Sequence, residues 1–416
     1  MMRRLLGSWI FIAFMLCIDF YVFQALRLVT ANLSPRPKWI IYGIYWSFTI
    51  AAVLLFFILP NIRYEILPAF IKQYFIPILI GFFIAKLVAA IFLFLDDVRR
   101  IFHWIGLKLA SSFTDKVNYP TDGITRSVFL SWIGLGLGGS IFGSLLYGFG
   151  NKYKYRIEKI KMKFENLPLA FKGMKIIHIS DIHSGSLDDK KAVEKGIQRI
   201  LDLNPDLILF TGDLVNNEAS EMDGLKDIFG RLKAPLGVYS ILGNHDYGDY
   251  KQWSSKEEKL ENLNRLKSTH FEMGWRLLLN EHVVIEKEND AFALIGVENW
   301  GAKGNFSKYG DLGKAYEGSS KHPFKLLMSH DPSHWEAEVC KNFTDIDLML
   351  AGHTHGMQFG VEIPGFRWSP VQYMYKQWAG LYEQASQKLY INRGFGFLGY
   401  PGRVGILPEI TLIEMV

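Results

Sequence analysis

The chain has 416 residues, 49% of them hydrophobic, and its 46 Lys and Arg against 41 Asp and Glu leave a net charge of +5. That length allows two or three domains, and so modest a charge gives no expectation of a nucleic-acid partner. Cys17 and Cys340 cannot make a disulfide framework, and with no CxxC spacing a cysteine zinc site is excluded as well.

Hydrophobicity is concentrated before residue 150, where four segments reach the roughly 20 apolar residues a membrane helix needs. They run from about 5 to 29, 39 to 59, 70 to 95 and 129 to 149. The first is too long for a removable signal peptide and reads as an anchor. Trp39, Trp46, Trp104 and Trp132 lie near span ends, as interfacial anchors do. Asp19 and Lys86 fall inside spans, either as an interhelical pair or as part of a pathway or headgroup contact. Val98–Phe113 mixes Arg99, Arg100 and Lys108 with Ile101, Phe102 and Trp104, which predicts an amphipathic helix on the membrane surface. In the fourth span Gly134, Gly136, Gly138, Gly139, Gly143 and Gly148 predict close helix packing.

Orientation follows from the basic flanks. Arg3, Arg4, Arg63, Lys72, Lys152, Lys154, Arg156, Lys159, Lys161 and Lys163 share one side. The other side carries Arg27, Arg36, Lys38, Arg99, Arg100, Lys108, Lys116 and Arg126. This small excess favours a cytoplasmic C-terminal part, in what reads as a multi-pass protein of a bacterial inner membrane. The domains expected are a transmembrane domain over 1–150, a basic juxtamembrane linker with the first strand over 151–165, and a catalytic domain over 166–416.

Beyond residue 153 strand-like and helical runs alternate, the pattern of an α/β domain. Strands are expected over Tyr155–Phe164, Met174–Ile179, Asp206–Phe210, Gly237–Leu242, Val283–Ile285, Ala291–Val297, Lys325–Met328, Asp347–Leu350 and Leu389–Ile391. Helices are expected over Ala192–Leu203, Glu221–Leu232 and Lys256–Ser268.

Five of these strands end in the same chemistry. They lead into Ser180-Asp181-Ile182-His183, Thr211-Gly212-Asp213, Gly243-Asn244-His245-Asp246, Ser329-His330-Asp331 and Gly352-His353-Thr354-His355. Sites in α/β sheets gather beyond the carboxyl ends of strands, so the five loops can share one crevice. Imidazole and carboxylate together suit transition metals, and two imidazoles one residue apart can face neighbouring ions. His178, His270, His282, His322 and His334 lack such context and read as structural or exposed. Trp300, Trp335, Trp368 and Trp378 read as core packing, with an apolar cleft for acyl chains as the alternative.

This ordered set of blocks resembles the calcineurin-like metallophosphoesterase superfamily, over roughly residues 155–416. Leu167-Pro168, Phe171-Lys172-Gly173, Asn392-Arg393-Gly394 and Pro408-Glu409-Ile410 are similar to its bacterial membrane-associated branch. The resemblance implies a four-layer α-β-β-α sandwich preceded by an all-α domain of four transmembrane helices. It also implies two divalent metal ions, Mn, Fe or Zn. Asp181, His183 and His355 would hold one; Asn244, His330 and His353 would hold the other; the Asp213 carboxylate would bridge them. A hydroxide shared by the metals would attack phosphorus, and His245 would protonate the leaving oxygen. Asp246 either orients His245 or bonds elsewhere.

The chain departs from its relatives in two places. Asn216 and Asn217 stand where the protein Ser/Thr phosphatases of the superfamily carry Asp-Arg, which argues against a protein substrate. Gly356-Met357-Gln358 lacks a second glycine that relatives carry, a change expected to affect only loop flexibility. Arg393 and Arg403 are candidates for binding a diphosphate or headgroup, or else backbone within their own loop.

The expected function is hydrolysis of a phosphodiester, pyrophosphate or phosphomonoester, on a phosphate-containing small molecule or a lipid presented at the membrane. The alternative is a catalytically silent metal-binding scaffold or a membrane sensor.

Overall fold

The computed structural model describes residues 2–58, 67–68, 70–111 and 126–416. Leu59, Arg63, Phe113 and Lys116 lie outside the described residues. The chain forms two compact units, Met1–Tyr147 and Gly148–Val416.

The first unit holds α1 (Met2–Val29), α2 (Pro35–Ile58), α3 (Ile76–Ser111, entered through a π turn at Ile71–Phe75) and α4 (Val128–Gly148). Among the described residues, four stretches are long and apolar enough to cross a membrane: Trp9–Val29, Pro35–Ile58, Ile71–Ala110 and Val128–Asn151. The chain is a multi-pass integral membrane protein. Its backbone polar groups are paired within the helices, which leaves apolar side chains such as Trp39, Phe94 and Phe129 facing outward.

Two expectations about this unit resolve differently. Asp19 and Lys86 form a buried ion pair between α1 and α3. The Tyr45 hydroxyl of α2 donates to the Asp19 carbonyl at 2.7 Å, so the pair ties three helices together. The surface helix over Val98–Phe113 is not separate, because α3 runs unbroken through Ser111. Its charges are satisfied without a bend. Arg99 and Arg100 reach back one turn to Asp96 and Asp97 at 2.9 Å each. Asp96 also accepts the Ser127 N–H at 2.8 Å, and Asp97 accepts Arg126 at 3.0 Å.

The glycines of α4 are not equivalent. A Cβ on Gly138 would lie 2.4 Å from the Ala85 carbonyl, whereas one on Gly139 would meet nothing within 4 Å. Close backbone approach therefore belongs to the Gly134–Gly138 face, as small residues permit in lipid.

In chain order the second unit comprises β1 (Arg156–Met162), β2 (Lys175–Ile179), α5 (Lys190–Leu201), β3 (Leu207–Phe210), α6 (Lys226–Phe229), β4 (Val238–Ser240) and α7 (Lys256–Glu272). There follow β5 (Arg276–Leu277), β6 (Glu281–Lys287), β7 (Asp290–Gly296), α8 (Leu312–Tyr316), β8 (Lys325–Met328) and β9 (Leu348–Ala351). The remainder is β10 (Val361–Ile363), β11 (Phe366–Trp368), β12 (Gly380–Gln384), β13 (Gln387–Ile391) and β14 (Glu409–Met415), with short turns between.

One sheet has the order β1-β14-β2-β3-β4-β5, the other β12-β13-β9-β8-β7-β6. Strands β2 to β5 run parallel, as do β7, β8, β9 and β13. Alternate residues face opposite sides of each strand. Ile176, Leu207, Leu209 and Ile413 of the first sheet meet Leu294, Leu326, Leu348 and Leu350 of the second. On the outer face of the first sheet Ile177, Ile179 and Phe210 pack with Val193, Ile197 and Leu266 of α5 and α7. On the outer face of the second, Ile295, Leu327 and Met349 pack with Leu312, Ala315 and Trp335. The result is the four-layer α-β-β-α sandwich. Both faces of each sheet are buried, which is why these strands read as continuous apolar runs.

Glu221–Leu232 is not one helix. It is a turn at Ala219–Met222 and the single turn of α6, because Gly224 interrupts the run and the Glu221 carboxylate is engaged by a loop. Strand β14 was not expected, yet it lies between β1 and β2 and pairs with both. Trp335 and Trp378 are buried as core residues.

Gly138→Leu should lower the thermal melting temperature in detergent by overpacking, a cost of about 1–3 kcal/mol, while Gly139→Leu leaves it unchanged. A second prediction concerns His270, which is fully buried beside Trp275 with neither ring nitrogen partnered. Burial pushes its pKa down to about 3. The unfolded chain takes this proton near pH 6.5 and the folded one resists it, so the stability present above pH 6.5 is lost as pH falls toward 3. His270→Leu should shift acid unfolding, followed by tryptophan fluorescence, to lower pH.

Candidate metal centre

The five loops do converge. Backbone bonds from Asp181 N to Gly212 O at 2.9 Å and from Gly352 N to His330 O at 3.0 Å fasten them in pairs at the carboxyl ends of β2, β3, β8 and β9. Asp181, His183, Asp213, His353 and His355 all adopt left-handed backbone, with φ between 48° and 72°. Such a conformation costs a residue with a Cβ about 1–3 kcal/mol and persists only where its surroundings impose it. Five instances in one crevice mark a site built against local preference.

Two side-chain groups face each other across it. In the first, His183 Nε2 lies 3.0 Å from His355 Nε2, which is 3.2 Å from Asp181 Oδ1. In the second, His330 Nε2 is 3.2 Å from Asp213 Oδ2 and 3.1 Å from Asn244 Oδ1. His353 Nδ1 is 2.9 Å from the same Asn244 oxygen. Asp213 Oδ2 is also 3.5 Å from His183 Nε2, so this carboxylate borders both groups.

The donor set fits divalent cations. In each group three potential lone-pair donors crowd within 4.8 Å of one another, and a proton between two of them leaves the third unmatched. A cation serves all three, and mixed imidazole and carboxylate donors suit Mn, Fe or Zn. The residues that could hold one ion are Asp181, His183 and His355. Asn244, His330 and His353 could hold another, with Asp213 shared.

Electrostatics agree with this arrangement. Burial works to raise the Asp213 and Asp181 carboxyls, but neighbouring histidines, His330 foremost for Asp213 and His355 for Asp181, hold both below the usual range. Burial opposes charge on His330, yet Asp213 raises it to about 10. A proton on His330 thus offsets the Asp213 charge, and a cation bound there would take its place. Supporting contacts fix the rings: His330 Nδ1–H donates to the Thr211 carbonyl at 2.7 Å, and His353 Nε2 meets the Tyr375 hydroxyl at 3.0 Å.

His245 stands at the rim, partly exposed, with its ring centroid 4.9 Å from that of His183. Its Nδ1 bonds the Asn216 carbonyl at 2.8 Å, which turns Nε2 away from the loop, and its backbone N–H donates to Asp213 Oδ1 at 2.8 Å. Asp246 does not orient the His245 ring. It accepts the N–H groups of Gly243, Asp213, Leu214 and Val215, stapling two of the loops together. Burial, then the Asp213 charge, raises it to about 7.

Glu221 escaped the sequence reading. Its carboxylate accepts the N–H groups of Gly185, Asn216, Asn217 and Glu218, and so holds the carbonyl that anchors His245. Tyr375 and Asp331 were also missed, although Asp331 directly follows His330. Neither arginine of the tail is available to a ligand. Arg393 is paired with Glu409 and Glu362. Arg403 is fully buried and donates to the carbonyls of His355, Arg393, Gly394 and Gly396. His178 bonds Thr211 and His334 bonds Ser329, both as structural residues.

Comparison with known proteins covers both units. Residues 2–151 match the family described as "Probable Calcineurin-like phosphoesterase, transmembrane domain", and residues 174–357 match "Calcineurin-like phosphoesterase". A transmembrane protein with a metallophosphoesterase domain from Danio rerio is 28% identical over 269 residues, 62% of this chain and 57% of that one. The chain thus spans little more than half of that relative's length. Phosphodiesterase YaeI of Escherichia coli is 28% identical over 58% of this chain and 82% of its own. The UDP-2,3-diacylglucosamine pyrophosphatase LpxG of Chlamydia trachomatis is 25% identical over 56% of this chain and 81% of its own. With its membrane unit and its sandwich each matched, the chain belongs to the calcineurin-like metallophosphoesterases, as a member that carries a multi-pass transmembrane domain.

Proposed function

We propose that this protein is a membrane-anchored phosphoesterase requiring two divalent metal ions, and that it cleaves a phosphodiester, pyrophosphate or phosphomonoester carried by a lipid or lipid-linked molecule. The observation that carries this reading is the Asp213 carboxylate, which borders both histidine groups within 3.5 Å while its second oxygen holds the His245 backbone. Divalent cations bound there would acidify water and offset negative charge on phosphate oxygens. Asp181, His183 and His355 would hold one of these cations, and Asn244, His330 and His353 the other.

His245 supplies the proton for the leaving oxygen from Nε2. Its Nδ1–H stays on the Asn216 carbonyl throughout, so the ring is left in the matching neutral tautomer after transfer. Glu221 keeps that carbonyl in place. Because Arg393 and Arg403 are occupied, recognition of phosphate falls to the cations and His245 rather than to the glycine-rich tail. The name of the Chlamydia relative, a pyrophosphatase of a diacylated sugar nucleotide, supports a lipid-linked substrate, as does the membrane unit.

The test is turnover by the full-length protein in detergent, loaded with Mn or Zn, on bis-p-nitrophenyl phosphate. Metal-dependent hydrolysis is expected, and His245→Ala should retain its metal while losing about 10²–10⁴-fold in kcat. No hydrolysis by the loaded protein would overturn the enzymatic reading. Undiminished hydrolysis by the His245 variant would overturn the acid assignment alone.

A further inference from the structure

A rim of the second unit carries large apolar side chains that the described residues leave uncovered. Met357, Val361, Ile363, Phe366, Tyr373 and Met374 are between 42% and 77% exposed. Among the described residues strands β10 and β11 pair only with each other, and an isolated two-stranded hairpin is marginal without something to pack on. Clustered apolar side chains on a surface mark a contact with another protein or a membrane.

Two sets of hydrogen bonds say where this rim sits. On one side it is fastened to the histidine loop. Ser369 Oγ donates to the Gly356 carbonyl at 2.8 Å, and Thr354 Oγ1 donates to the Trp378 carbonyl at 2.6 Å. Tyr375, beside Met374, meets His353 at 3.0 Å. On the other side Gly360 N–H donates to the Val404 carbonyl at 2.9 Å, and Val404 N–H to the Gln358 carbonyl at 2.8 Å. The neighbouring Arg403 N–H donates to the Gly148 carbonyl at 3.0 Å, Asn151 bonds the Arg403 carbonyl at 3.1 Å, and Tyr400 packs on Phe149. Gly148–Asn151 directly continue α4, within the membrane-spanning stretch Val128–Asn151. The rim is thus two hydrogen-bonded steps from Gly148 and Asn151, at the end of that apolar stretch.

Met357 adds an independent sign. Its φ of 54° is left-handed, which costs a residue with a Cβ about 1–2 kcal/mol and a glycine nothing. At this strained position the methionine is half-exposed.

We infer that this rim docks into the interfacial layer of the lipid bilayer and holds the mouth of the metal centre among the headgroups, so that the substrate is the phosphoester of an amphiphile presented by the membrane. The docking stands on the hydrogen-bonded path to Gly148 and on the apolar rim. The substrate class rests on the hydrolytic reading above. Tyr373 and Trp368 suit an interface, where amphipathic rings sit at headgroup level.

The test uses the full chain in proteoliposomes of phosphatidylethanolamine and phosphatidylglycerol, with Cys17→Ser and Cys340→Ser as background. Single cysteines from Ile363→Cys, Phe366→Cys and, as a control on α7, Phe271→Cys carry an environment-sensitive fluorophore. Labels at 363 and 366 should emit at shorter wavelength and lose fluorescence to brominated lipid but not to aqueous iodide, whereas the label at 271 does the reverse. Iodide reaching all three alike would overturn the docking. Shielding of 363 and 366 from both quenchers would mark a protein partner or a second copy, and would overturn it too. This readout needs no turnover, and bis-p-nitrophenyl phosphate hydrolysis by the same vesicles reports separately on the hydrolytic reading. If docking and that hydrolysis are both seen, cleavage of phosphoester-bearing lipid extract is expected, and its absence would overturn the amphiphile assignment.

Discussion

Asp181 and Asp213 are carboxylates with almost no solvent, set among four buried or nearly buried imidazoles, and the rest of the second unit serves to keep them there. Burying an ionised carboxylate is costly unless opposite charge and hydrogen bonds compensate. Here the compensation is local: His353 and His245 offer backbone N–H groups to the two carboxylates, and the imidazoles supply positive charge or metal-ligating nitrogen. The strained backbone at five of these positions is the geometric cost of pointing every donor inward.

The sandwich itself assembles the site. Asp181, Asp213 and Asn244 follow strands of the first sheet, whereas His330, His353 and His355 follow strands of the second. Neither sheet alone holds a complete group, so the apolar layer between them, with Leu209 and Ile176 against Leu326 and Leu350, is what brings the donors together. Asp246 and Glu221 then fix the loops within the first half of the site, each by gathering four backbone N–H groups on one carboxylate. Rigidity at the site is therefore a matter of satisfied backbone donors as much as of packing.

What the sequence made legible was whatever depends on neighbours in the chain. An apolar run followed at once by Asp or His reads as a strand end with a ligand, and the ordered blocks carried the superfamily resemblance. What stayed hidden depends on distant partners. Strand β14 carries Glu409 and Thr411, buried polar residues whose place is set by Arg393, Tyr390 and Asn392. Glu221 looked like part of a helix, whereas its carboxylate turns back on the Asn216, Asn217 and Glu218 N–H groups just before it and reaches Gly185 of another loop. For Arg403 the alternative of binding backbone within its own loop holds, since the carbonyls of Arg393, Gly394 and Gly396 in the same tail accept from it. The basic stretch after Asp97 looked like a surface helix because Arg126 and Ser127, which satisfy those acids, are about thirty residues away.

A membrane unit and a site whose donors fit divalent cations lead to one central claim, that Asp213 stands between two metal ions. Anomalous X-ray diffraction from crystals of the full-length protein grown with manganese tests it directly. The account predicts two anomalous peaks per chain, one bordered by Asp181, His183 and His355 and the other by Asn244, His330 and His353, with the Asp213 carboxylate touching both. A single peak, or two that Asp213 does not join, would contradict it.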